Sequence, residues 1–138
     1  MAGKVFIDTN VLVYAQDSGQ LRKRARSRAL IEELVHSGDG VISTQVLQEF
    51  YVASTRKLGV APLAAKAVLK TFAAFETVQV SPELIQEAVD CSILNELSFW
   101  DALIIAAASA AGCGVLYSED LNTGQTILGV KVENPFKT

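Results

Sequence analysis

A chain of 138 residues, half of them hydrophobic and a fifth charged, has the size of one domain with one sizeable core, so residues 1–138 read as a single unit. No charge block or Pro, Gly or Ser-rich tract marks a linker, and the start lacks a secretory pattern. The longest apolar run, Ala102 to Ala111, is shorter than the ~20 residues that span a bilayer, so the expectation is a cytoplasmic protein with no membrane contact.

The formal net charge of −3 argues against a polyanionic partner, because phosphate binding favours a basic surface. Setting aside four acids gathered around a cation turns −3 into +1, and the basic residues are unevenly spread. Cys91 and Cys113 have no CxxC spacing and read as small core residues. His36 is the single histidine and sits at a polar helix end, where a solvated role fits better than general-base duty.

In chain order, Lys4 to Ile7 is a β-prone run that ends in Asp8. Leu21 to His36 reads as a helix, and its start, LRKRARSR, is the one dense basic stretch. Five charges there fan over a wide arc, which suits a solvated face as well as an RNA backbone. Val41 to Ser43 reads as a second strand. Thr44 is placed as the cap of the following helix, TQVLQEFYVASTRKL, which Gly59 ends. Pro62 opens a helix expected to run through about Phe75, and Thr77 to Val80 reads as a strand.

Ser81-Pro82 combines an N-cap with proline at the first helical position and starts ELIQEAVDCSILNEL. Phe99 to Ala111 is the next helix, closed by Gly112-Cys113-Gly114. Val115 to Tyr117 and Val130 to Val132 complete the strands. Alternating strands and helices define an α/β class with a parallel sheet covered on both faces.

Ligands of open α/β sheets bind outside the carboxyl ends of the strands. Asp8 and Asp120 follow strands, Glu49 lies in the second turn of the helix after the second strand, and Asp101 lies in the first turn of its own helix. Each acid also has a structural explanation. Ser98-x-x-Asp101 matches a capping box, Asp8 and Asp120 suit turns, and Glu49 suits an exposed helix face. Their joint placement is what those explanations leave over. Gathered carboxylates require protons, bases or a cation, and no Lys or Arg is close in sequence to Asp8, Asp101 or Asp120. An all-oxygen set suits Mg2+ or Mn2+, and metal-activated water attacking a phosphodiester is the chemistry that follows. There is no GxxxxGK[ST] loop and no GxGxxG.

Asp8-Thr9-Asn10-Val11 after a β-run, Glu49 within TQVLQEFY, SFWDALIIAAA, LYSEDLNTGQ and the ending VKVENPF together resemble the PIN-domain ribonucleases. Within them the chain resembles the VapC-type toxins of toxin-antitoxin pairs, from about Lys4 to Phe136. That resemblance implies a PIN-like α/β/α sandwich and a metal-dependent endoribonuclease site of Asp8, Glu49, Asp101 and Asp120. Asn10 and Ser118 are its implied polar supports, and Asp120 aligns with the family's final acid better than Glu119 does. It further implies an RNA substrate such as tRNA, a VapB-type antitoxin and a homodimer. The apolar run VLKTFAAF is a candidate source of dimer surface, and Phe99 and Trp100 are expected to wedge the Asp101 helix into the core. Two rivals remain. A haloacid-dehalogenase-type phosphatase would use Asp8 as nucleophile but normally has a second Asp where Asn10 stands, and a non-catalytic binding module usually lacks some of the four acids.

Overall fold

The structure is a computed structural model that describes residues 3–137. Six helices and six strands alternate for most of its length. Strands β1 (Val5–Ile7), β2 (Gly40–Ser43), β3 (Glu76–Val78), β4 (Val115–Tyr117), β5 (Thr126–Ile127) and β6 (Val130–Glu133) form one sheet in the order β3-β2-β1-β4-β6-β5. Every pairing is parallel except β5 with β6, which is antiparallel. All four residues of β2 are buried, so both faces of the sheet are covered there, as its apolar Val41-Ile42 pair requires. The expected α/β/α sandwich is formed.

The helices are α1 (Thr9–Tyr14), α2 (Leu21–Ser37), α3 (Thr44–Arg56), α4 (Pro62–Thr71), α5 (Pro82–Asn95) and α6 (Phe99–Ala110). From Ala102 to Ala108 helix α6 is apolar around its whole circumference, and those residues are all buried, between β2, β4 and β6 on one side and α5 on the other. Its alanines let α5 approach closely on the other side. Phe6, Leu12, Ile42, Phe50, Ile105 and Leu116 are fully enclosed at the centre, each contributing about 1.5–3 kcal/mol relative to exposure. Cys91 and Cys113 are buried free thiols, and loss of solvation pushes the Cys113 thiol up to about 11, which leaves it unreactive.

Several local expectations are corrected. The side chain that caps α3 is Ser43, whose Oγ accepts from the Val46 N–H. Thr44 instead accepts from the Val80 N–H and so ties α3 to the end of β3. The helix opened by Pro62 ends at Thr71 and tightens into a 3₁₀ turn, Phe72–Ala74. Phe72 and Phe75 are thereby turned into the core, so VLKTFAAF contributes no large exposed face. Among the most exposed apolar side chains are Leu63 on α4 and Ile93 and Leu94 on α5. Trp100 does not wedge α6 either. It is 61% exposed and meets Phe99 edge to face, so its ring stands at the surface beside Asp101.

Candidate active site

Asp8 directly follows β1 and is the N-cap of α1. Its backbone N–H donates to the Tyr117 carbonyl, which fixes the end of β1 beside the end of β4. Asp8 is 8% exposed, and both of its carboxylate oxygens accept hydrogen bonds. Oδ1 accepts from the Thr9 N–H at 2.7 Å, and Oδ2 accepts from the Ser118 hydroxyl at 2.8 Å and from the Asn10 amide at 3.2 Å. Burial pushes the Asp8 carboxyl up to about 6, against those hydrogen bonds, and the charges of Glu49 and Asp120 push in the same direction as burial.

Ser118 is fully buried just past β4. Its Oγ donates to Asp8 and accepts from the Asp120 and Leu121 N–H groups, so one hydroxyl both holds the acid and shapes the loop that carries Asp120. Asn10 closes the same loop from α1. Its Oδ1 accepts from the Glu119 N–H, which sets the amide orientation. Its Nδ2 then donates to Asp8 and, at 3.1 Å, to Asp120 Oδ2. The amide therefore stands between two carboxylates and offsets part of their repulsion.

Glu49 reaches the cluster through Thr9, whose hydroxyl donates to Glu49 Oε1 at 2.7 Å. Gln45, one helical turn earlier on α3, donates from Nε2 to Glu49 Oε2 and to the Trp100 carbonyl, both at 3.2 Å. It bridges α3 to the start of α6, where Asp101 lies. Ser98 caps α6 by accepting from the Asp101 N–H. The return half of a capping box is missing. Among the described residues the Asp101 carboxylate accepts no hydrogen bond, from the Ser98 N–H or from any other donor.

The structure thus links Asp8, Asn10, Ser118 and Asp120 directly, and Glu49 through Thr9. Asp101 is brought near only by way of Gln45 and the α6 backbone. Among the described residues no three acid, histidine or cysteine side chains stand close enough together to hold a metal ion. The donor chemistry nevertheless fits a hard divalent cation, since Asp8, Glu49, Asp101 and Asp120 offer only oxygens and none has an ion-pair partner among the described residues. Glu119 does have one. Burial opposes its ionisation, but hydrogen bonds from Lys23 and Tyr14 hold its carboxyl below the ordinary value, so it is a paired acid beside the cluster.

Thr9, Gln45 and Lys23 were not singled out from the sequence as parts of this region. For Gln45 the available signal was its spacing of four from Glu49 on a helix. A cleft of about 770 Å³ opens beside the cluster, lined by Thr9, Asn10, Tyr14, Glu49, Asp120 and Arg56; Asp8 and Asp101 are not on its walls.

The family model for the PIN domain matches residues 5–125, and the chain belongs to that family. No curated protein sequence matches it. Among solved structures it is similar to Mycobacterium tuberculosis VapC20, described as a Sarcin-Ricin loop cleaving toxin, at 23% identity over 85% of this chain and 90% of that one, with a TM-score of 0.67. DNA-bound VapBC from Salmonella typhimurium aligns at 18% identity over 97% and 99% of the two chains, with a TM-score of 0.72. VapBC2 from Rickettsia felis, bound to a DNA fragment from its promoter, aligns at 18% identity over 94% and 97%, with a TM-score of 0.70. At these identities the likeness is one of fold.

Proposed function

We propose that this chain is a metal-dependent endoribonuclease and the toxin of a VapBC-type pair. On this reading RNA, with tRNA as a candidate, is its substrate, a VapB-type antitoxin restrains it, and it assembles as a homodimer. The observation that carries the proposal is the buried Asp8 carboxylate at the carboxyl edge of a parallel sheet, wired to Asp120 through Asn10 and Ser118 and to Glu49 through Thr9. A network of hydrogen bonds around an acid that burial disfavours is a construction suited to catalysis.

Asp8, Glu49, Asp101 and Asp120 would hold Mg2+ or Mn2+, which supplies a lowered pKa for bound water and stabilisation of charge on phosphate oxygens. The chain's own part is positional. Ser118 and the Thr9 N–H fix Asp8 so that its oxygens present one orientation. Asn10 keeps Asp8 and Asp120 together without neutralising either, and Gln45 holds the α6 start against Glu49. Trp100, exposed at that start, offers a ring on which an unpaired base stacks.

The phosphatase reading fares worse on the geometry, because Asn10 spends both ends of its amide within the network and offers no proton where that chemistry needs an acid. The test is incubation of purified protein with tRNA in Mn2+ or EDTA. Cleavage in Mn2+ that is lost in EDTA and in Asp120→Asn is the expected result. Hydrolysis of p-nitrophenyl phosphate with tRNA left intact would overturn the reading.

A further inference from the structure

The basic run at the start of α2 divides, in three dimensions, into cations with internal work and cations without. Arg28 donates to the Ala15 carbonyl and so holds the end of α1. Arg26 donates from Nε to the Pro135 carbonyl at 3.0 Å, which pins the tail after β6 against α2. Lys23 is paired with Glu119 and lies over the rings of Tyr14 and Phe136. Arg22 and Lys137 have no ion-pair partner among the described residues. Between α2 and the pinned tail is a second cavity of about 740 Å³, lined by Arg22, Lys23, Arg26, Phe136 and Lys137 and by no acid.

The two cavities are neighbours. Tyr14 lines the acidic cleft, Phe136 lines the basic cavity, and the two rings meet edge to face with centroids 5.0 Å apart. Lys23 reaches from the basic side to Glu119, which lines the acidic one. The acidic cleft has Asp17, Glu49, Glu119 and Asp120 on its walls against two cations, Arg56 and Lys57, so acids outnumber bases there and the balance repels the phosphates that flank a scissile bond. A polyanion engaged there gains attraction only from cations close by.

We infer that the cavity between the first turns of α2 and the Pro135–Lys137 tail is a subsite for the RNA backbone. It takes a phosphate neighbouring the scissile one through Arg22 and Lys137, with Phe136 as an aromatic wall for the adjoining base. Lys23 and Arg26 are positioning residues that hold the tail and the Glu119 loop in register with it. This rests on the ribonuclease reading and adds to it where the substrate's backbone lies. It also bears on how a chain of net charge −3 accepts a polyanion, since Arg22, Lys23, Arg26 and Lys137 line one cavity that has no acid on its walls.

The test uses Asp8→Asn protein, unable to cleave, and fluorescein-labelled tRNA in EDTA, with affinity read by anisotropy over a series of salt concentrations. Adding Arg22→Ala and Lys137→Ala is expected to weaken binding roughly tenfold and to make the salt dependence shallower by about 1 per contact removed. Lys66→Ala with Lys70→Ala, an equal charge change on exposed α4, is expected to leave both nearly unchanged. Arg22→Gln, which removes the charge but keeps a polar hydrogen-bonding side chain, should reproduce its share of the loss while the melting temperature stays at that of the parent. Equal weakening by both double variants, or none by either, would overturn the subsite while tRNA cleavage by wild type left the ribonuclease reading standing. Absence of both tRNA binding and cleavage would overturn the two together. Loss of antitoxin binding with tRNA affinity intact would reassign the cavity to a protein partner.

Discussion

Asp8 concentrates the chemistry of this chain in one side chain. Its carboxyl is raised from 3.8 to about 6, first by burial, so the folded state binds more protons than the unfolded state between those values. Stability of the metal-free protein therefore carries a penalty at neutral pH that is relieved as pH falls through about 6. Melting curves in EDTA should show Asp8→Asn gaining on wild type at pH 7, with roughly half of that advantage lost by pH 5 and the rest below about pH 4. A constant difference across that range would mean that Asp8 is not the strained acid. The same proton competes with a cation, so Mn2+ affinity is expected to fall below about pH 6. What the sequence shows of Asp8 is its place after a β-run. Its burial depends on Ser118, which lies 110 positions away and is invisible to local reading.

At the scale of elements, α6 presents the sharpest choice. Its N-cap is Ser98, and the Asp101 carboxylate makes no cap bond of its own among the described residues. Asp101→Asn should accordingly leave metal-free stability unchanged or slightly raised, while tRNA cleavage falls by on the order of 100-fold. A variant that melts lower yet cuts at the wild-type rate would return Asp101 to helix capping. Strand β2 offers a packing test, because a Cβ on Gly40 would lie 2.5 Å from the Phe75 ring. Gly40→Ala is expected to cost about 1–3 kcal/mol in urea denaturation, as overpacking does, and an unchanged midpoint would show that the ring moves freely.

Long elements with strong punctuation were legible in the sequence, as Ser81-Pro82 before α5 and Gly112 after α6 illustrate. So were the three-residue strands β1 and β4, whereas α1 and β5 were not. Helix α1 has only six residues, and β5 has two, Thr126 and Ile127, whose pairing depends on β6 rather than on their own pattern. The early end of α4 followed the same logic, since Phe72 and Phe75 gain more from burial than from continuing the helix. In the candidate site, the acids announced themselves by type and position. Thr9 and Gln45 did not, because a hydroxyl and an amide acquire meaning only from what the fold places opposite them.

The whole molecule carries a sheet edge rich in acids, a basic flank beside it, and apolar side chains displayed elsewhere, at Leu63, Ile93 and Leu94. Large apolar side chains left in solvent favour self-association. Light scattering is expected to give a dimer mass that Leu63→Lys with Leu94→Lys converts to a monomer, and a monomer for wild type at every concentration would contradict this. In cells, expression of the wild type alone should arrest growth and Asp8→Ala at matched level should not. Arrest by both would separate toxicity from the acid cluster.

Whether carboxylates drawn from four separate segments form one cation site is decided most directly by calorimetric titration of the purified protein with Mn2+. Wild type should bind with heat that is abolished in Asp8→Asn combined with Asp101→Asn, although the variant remains folded. Equal Mn2+ affinity in the two proteins would contradict the site.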